Sequence, residues 1–166
     1  NNSVQINTIH SSKGLEYPVV FLIDTGSRFS AQSTKENILT ENDFGISTKS
    51  FNLQKRFVYN SPVNIGFKKK IIDEERKEEM RLLYVALTRP KNFLTIIGTT
   101  DLSQIKKIKN SQDVLEIDSY LKWILGLFEQ KEINTLLDNK QLIKDCCGTK
   151  VSLKTYDFDD INVEQK

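Results

Sequence analysis

The sequence predicts an α/β fold from three features. Two short runs of β-branched and aromatic residues, 19–23 and 93–97, have the composition of buried strands in a parallel sheet. A long charged segment with helical spacing, residues 68–89, lies between them. Strand, helix and strand in this order favour a layered architecture, in which helices flank a parallel sheet.

The first elements are predicted from alternation. Residues 4–9 alternate apolar and polar side chains, as a strand does. Residues 10–18 then form a tight connection that ends at a proline. The continuous apolar run at 19–23 predicts a central parallel strand that is buried on both faces.

Residues 25–67 are predicted to be a surface excursion with a possible β-hairpin inside it. Residues 25–43 are polar and allow at most a short helical turn. Residues 44–60 contain one or two short strands with a turn between them. Pro62 and Gly66 predict a further loop before the helix begins.

The helix predicted for residues 68–89 is followed by shorter elements. Its apolar residues recur at helical spacing, and Pro90 stops it because proline disfavours the α conformation of Arg89. The strand at residues 93–97 comes next. The remaining sequence predicts two helices and a terminal strand, at residues 119–130, 131–145 and 150–158.

Composition excludes several classes of protein. The 166 residues are 38% hydrophobic and 28% charged, and the formal net charge of +2 gives no reason of its own to expect a nucleic-acid partner. Cys146 and Cys147 are adjacent, which fits neither a disulfide framework nor a zinc site. We therefore expect a reducing, cytoplasmic setting and no membrane partner. The sequence starts almost directly in a predicted strand, which suggests a piece of a longer protein.

The connection "HSSKGLE", residues 10–16, carries candidate functional residues. Loops that join buried strands to neighbouring elements can hold phosphates, and here Gly14 allows a close approach of the backbone. Lys13 can contact a phosphate, and Glu16 can accept hydrogen bonds from a sugar hydroxyl. The alternative is an ordinary turn whose charged side chains are solvated. The sequence contains no Gly-x-x-x-x-Gly-Lys-Ser/Thr loop, so it is not expected to hold ATP in the usual way.

A second candidate is Arg89, at the end of the predicted helix and just before a strand. An arginine held there by packing can project from the edge of a domain and reach a nucleotide on its neighbour. The alternative is an exposed arginine that the helix dipole favours at a C-terminus.

Together, the two stretches resemble conserved motifs of the UvrD-like superfamily 1 helicases. "TIHSSKGLEYPVVF", residues 8–21, resembles motif V, and "EEMRLLYVALTRPK", residues 78–91, resembles motif VI. The segment between them is most similar to the AddA type of helicase-nuclease subunit. The departures are Pro90, where the family usually has alanine, and Tyr17, where it usually has phenylalanine.

The resemblance implies that residues 1–166 are the C-terminal segment of a second RecA-like motor domain (2A), with a P-loop NTPase-like parallel sheet flanked by helices. In such helicases ATP with Mg²⁺ lies between two motor domains, and the first one carries Walker A and B. The implied partners are single-stranded DNA, the N-terminal motor domain of the same parent chain and an AddB-like nuclease subunit. The implied activity is an ATP-dependent helicase in DNA repair and recombination, with nuclease activity inferred for the parent only.

The resemblance also assigns roles to single residues. Gly14 and Glu16 are expected beside the nucleotide, and Arg89 is expected to act as a finger on the γ-phosphate. The residues expected on the DNA side are Thr8, His10 and, as a weaker candidate, Lys13. Arg81 and Tyr84 match motif VI and are expected to pack or to brace the helix.

Two other hypotheses stay open. One is a non-catalytic module for DNA binding or interaction that derives from a helicase domain, and the other is an unrelated α/β domain. The isolated chain is predicted to hydrolyse no ATP, because its sequence lacks the phosphate loop.

Overall fold

The computed structural model describes residues 3–41, 43–146 and 149–156. The chain divides into two compact units, Asn1–Gly98 and Thr99–Lys166, which are described separately. Both units combine helices and strands, so the predicted α/β class is confirmed at that level.

The first unit contains a parallel pair of strands, β1 (Tyr17–Leu22) and β6 (Pro90–Ile96). This pair confirms the parallel pairing predicted from the two apolar runs. The prediction that the first strand is buried on both faces is wrong for the described residues, because Phe21 is 64% exposed and Val19 and Ile23 are also exposed. These side chains alternate along the strand, so they share one face of the pair.

Helix α1 (Pro62–Leu87) is longer than the sequence predicted. Pro62 and Gly66 belong to the helix, so the predicted loop there is wrong. The Ser61 side chain caps the helix by accepting a hydrogen bond from the Asn64 N–H at 3.1 Å. Proline suits the first helical position because its missing N–H has no partner there in any case. The helix ends just before Pro90, as predicted.

Two antiparallel hairpins precede α1. One pairs β2 (Ile38–Glu41) with β3 (Gly45–Thr48), and the other pairs β4 (Ser50–Asn52) with β5 (Phe57–Tyr59). The second hairpin confirms a prediction. β2 corrects one, because the sequence predicted no strand before residue 44. Leu39 and Phe67 are buried where the first hairpin and α1 come together.

The segment before β1 differs from its prediction. Residues 4–9 are not a strand, although their side chains alternate. Val4 and Ile6 are almost fully exposed, so the alternation has no sheet to pack against. The connection that follows contains a short 3₁₀ turn, His10–Ser12.

The second unit consists of α2 (Ser111–Glu116), α3 (Tyr120–Leu125), α4 (Gln130–Asn139) and a hairpin of β7 (Gln141–Cys146) and β8 (Thr149–Lys154). Its core is formed by the buried residues Ile105, Leu125, Phe128 and Ile133.

Three predictions for this unit are corrected or limited. The helix predicted at 119–130 is shorter, because α3 ends at Leu125 with Gly126 as its cap. The helix predicted at 131–145 stops at Asn139, because Lys140 adopts a left-handed conformation and β7 follows. The terminal strand is confirmed as β8, while Cys147 and the end of its predicted range lie outside the described residues.

Among the described residues, the helices are too short or too polar for any of them to cross a bilayer.

Candidate functional site

The two candidate stretches meet at one edge of the parallel pair. The Tyr17 N–H donates a hydrogen bond to the Arg89 carbonyl at 3.0 Å, and Tyr17 lies opposite Pro90 in the register. Because the strands are parallel, the segments that precede them leave the sheet at the same edge. The residue 10–16 connection and the end of α1 are therefore neighbours.

Local hydrogen bonds fix the shape of the connection. The Ser12 side chain is buried, and its hydroxyl donates to the Ile9 carbonyl at 2.7 Å. The Leu15 N–H then donates to the Ser12 carbonyl at 3.0 Å. Gly14, between them, has a φ of +83°, in the left-handed region that residues with a Cβ rarely adopt. The glycine is thus required by the turn itself.

Arg89 is half-buried, and its guanidinium is held by three acceptors. Nε donates to the Val85 carbonyl at 3.0 Å, Nη1 to the Leu15 carbonyl at 3.0 Å, and Nη2 to the Thr88 hydroxyl at 2.9 Å. The bond to Leu15 joins residues 74 positions apart and ties the arginine directly to the connection. It follows that the arginine is not simply a solvated helix-end cation.

Glu16 lies at the same edge. Its Oε2 is 3.0 Å from the Lys91 Nζ, and both side chains are more than half exposed. The edge therefore combines a carboxylate with two cations, Arg89 and Lys91. Cations and backbone N–H groups suit phosphates, and an exposed carboxylate suits hydroxyl groups, so the edge has the chemistry to contact part of a nucleotide.

His10 and Lys13 line a groove of about 730 Å³ between the connection and α1. Gly14, Glu16 and Arg89 are not among its lining residues. Thr8 lies just before His10, and its hydroxyl is used locally, since it accepts a hydrogen bond from the Ser11 N–H at 3.3 Å.

Residues of α1 that no sequence motif had singled out, among them Lys77 and Met80, line the same groove. Lys77 is paired with Glu74 at 2.7 Å, and this hydrogen bond lowers the pKa of the glutamate. Their signal in the sequence was only their spacing on one face of a helix.

The two other motif VI residues behave differently from each other. Arg81 Nη1 bonds Glu78 Oε2 at 2.8 Å, one turn away, so it braces the helix as predicted. Tyr84 does not pack, because it is 70% exposed and borders the groove.

Within the part of the chain that the structure describes, no three His, Cys, Asp or Glu side chains are grouped so that they could hold a metal ion.

The conformation of Gly14 predicts a specific effect on stability. Gly14→Ala and Gly45→Ala should each lower the free energy of unfolding by about 1–2 kcal/mol, because both glycines have a φ of +83°. Neither new Cβ meets an atom within 4 Å, so the cost comes from the backbone alone. Gly66→Ala, within α1, should instead raise it by about 0.5–1 kcal/mol. Urea unfolding of the three variants checks this, and an unchanged Gly14→Ala protein would contradict the strained turn.

Comparison with known proteins gives consistent matches. The family model for the UvrD-like helicase C-terminal domain matches residues 1–101. The A subunit of the ATP-dependent helicase/nuclease of Bacillus cytotoxicus is 38% identical over 135 residues, which is 81% of this chain and 10% of the relative. The protein of the same name from Bacillus thuringiensis subsp. konkukian is 40% identical over 122 residues, 74% of this chain and again 10% of the relative. The chain thus spans about a tenth of the length of these curated relatives.

Proposed function

The chain belongs to the UvrD-like helicase C-terminal domain family, and from this membership we propose that it works as part of the second RecA-like motor domain of an ATP-dependent DNA helicase. We call the longer chain in which it would act the full-length helicase. The observation that carries the proposal is the direct bond between Arg89 and the residue 10–16 connection.

On the nucleotide side, the proposal uses Gly14, Glu16 and Arg89. ATP, the substrate, would lie between this edge and the N-terminal motor domain of the same chain, and would enter with Mg²⁺. The Gly14 turn lets the backbone approach the nucleotide, and Glu16 accepts hydrogen bonds from the ribose. Arg89 stabilises the negative charge that develops on the transferred phosphoryl group.

On the DNA side, the proposal uses Thr8, His10 and Lys13. His10 and Lys13 face the groove along α1, where their polar and cationic groups can contact the phosphates of single-stranded DNA. Thr8 holds the start of the connection through its bonds to Ser11. We expect one short segment to contact DNA near residue 10 and the nucleotide near residue 16, and so to couple the two.

The exposed apolar face of the parallel pair supports a role within a larger assembly. Parallel strands are normally covered on both faces, whereas Val19, Phe21 and Phe93 are exposed in this chain. Further parts of the motor would cover them. By analogy with the named relatives, the full-length helicase would be cytoplasmic, would act in DNA repair and recombination, and would work with an AddB-like nuclease subunit.

DNA binding by the chain alone tests the DNA side. We expect weak, salt-sensitive binding of single-stranded DNA, with a dissociation constant of about 10⁻⁴ to 10⁻⁶ M at physiological salt, because few phosphates can be neutralised. Lys13→Ala should weaken binding and reduce the slope of log K against log salt by about 0.7. Fluorescence anisotropy with a labelled oligonucleotide measures both.

Lys55→Ala is the matched control, since it removes the same charge from the exposed β4–β5 turn of the same unit. The DNA-side assignment would be wrong if Lys55→Ala and Lys13→Ala changed the salt slope equally, or if the chain preferred duplex DNA.

A further inference from the structure

The hydroxyl of Thr88 sits between the end of α1 and the guanidinium of Arg89. Its Oγ1 lies 3.0 Å from the Tyr84 carbonyl and 2.9 Å from the Val85 carbonyl, and it accepts the hydrogen bond from Arg89 Nη2 at 2.9 Å. A hydroxyl has one proton to donate and two lone pairs to accept with. Donation to the helix carbonyls therefore turns a lone pair towards the arginine.

The same region satisfies the end of the helix. The last carbonyls of an α-helix have no partner within the helix. Here the Thr88 hydroxyl and Arg89 Nε both reach carbonyls of the last turn, and both bond the Val85 carbonyl. Threonine is also β-branched, which restricts the rotation of its side chain. The oxygen that faces Nη2 is thus held by the backbone rather than by a flexible chain.

We propose that Thr88 is the positioning residue of Arg89: its hydroxyl fixes the plane of the guanidinium, so that the arginine meets the transferred phosphoryl group in one orientation. This inference rests on the proposed function, because it matters only if Arg89 acts on the nucleotide. The remaining two acceptors, the Val85 and Leu15 carbonyls, belong to the backbone, so Thr88 is the one of the three that a side-chain substitution can remove.

The test is steady-state ATP hydrolysis by the full-length helicase at saturating single-stranded DNA. Thr88→Val keeps the shape and removes the hydroxyl, and should lower kcat by about ten- to a hundred-fold, as expected when a catalytic group is misplaced. KM should stay within about two-fold, because ground-state binding is unaffected. Thr88→Ser restores the hydroxyl and should recover most of the lost kcat.

Thr135→Val is the matched control. The Thr135 hydroxyl donates to the Lys131 carbonyl at 2.9 Å, four residues back, which copies the Thr88 geometry at a site with no neighbouring arginine in sequence. It should leave kcat unchanged. Thermal unfolding and DNA binding of all variants show that they are folded.

The outcomes separate the inference from the function on which it rests. An inactive Arg89→Ala protein together with a fully active Thr88→Val protein would overturn the inference alone. A fully active Arg89→Ala protein would overturn the proposed function as well. Failure of Thr88→Ser to recover kcat would also overturn the inference, because the hydroxyl would then not be the group that matters. If Thr88 acts through Arg89, Thr88→Val should add no further loss in the Arg89→Ala background.

Discussion

Arg89→Ala in the full-length helicase is expected to lower the rate of DNA-stimulated ATP hydrolysis by about 10³- to 10⁵-fold, the range that arginine fingers contribute in other phosphoryl-transfer enzymes. DNA binding should stay nearly intact, because Arg89 is not among the residues that line the groove. The loss should fall on kcat, since the guanidinium stabilises charge that develops only in the transition state.

Two further variants sharpen this result. Arg89→Lys should recover little activity, because an ammonium cannot reproduce the planar fork that contacts three acceptors at once. Arg56→Ala removes an arginine from the exposed β4–β5 turn and should leave kcat unchanged. Near-normal ATP hydrolysis by Arg89→Ala would remove the finger assignment and leave a structural role at the end of α1.

Glu16→Ala is expected to have the second largest effect, on nucleotide affinity. Loss of hydrogen bonds between a carboxylate and the ribose should raise KM for ATP by about 10- to 100-fold. The change in kcat should be small, because the ribose is bound equally in the ground state and the transition state. If a 2′-hydroxyl contact is involved, the same substitution should raise KM for 2′-deoxy-ATP much less. Steady-state kinetics with both nucleotides measures the difference.

Lys91→Ala is the control for Glu16. It breaks the 3.0 Å ion pair but leaves the carboxylate in place. Exposed pairs of this kind contribute about 0–1 kcal/mol, so KM should rise by no more than about five-fold. Equal effects of the two substitutions on KM would show that the ion pair, and not a ribose contact, explains the role of Glu16.

Patterns set by neighbouring residues along the chain predicted much of this fold. The apolar runs predicted a parallel pair, and Pro90 predicted the end of α1, because both depend on local composition. The start of α1 was missed because Pro62 marks a loop in one context and a first helical turn in another, and the Ser61 cap decides between them. The alternation at residues 4–9 predicted a strand that has no neighbouring strand to pair with among the described residues.

The site divides in a similar way. Side-chain chemistry in the sequence identified Gly14, Glu16 and Arg89, and the structure brings all three to one edge. The bond between Arg89 and the Leu15 carbonyl could not be predicted, because every residue has a carbonyl and only the fold determines which one is near. Tyr84 was expected to pack because aromatic residues are usually buried, but burial depends on covering elements that a local pattern does not specify.

The central claim is that Arg89 and the residue 10–16 connection form one edge of a nucleotide site. The most direct measurement is a structure of the full-length helicase with single-stranded DNA and ADP–aluminium fluoride, a mimic of the phosphoryl-transfer transition state. We expect the Arg89 guanidinium within about 3 Å of the fluoride that stands for the γ-phosphate, and the Glu16 carboxylate on the ribose. A bound nucleotide with Arg89 still on the Leu15 and Val85 carbonyls, and with Glu16 away from the ribose, would contradict the claim.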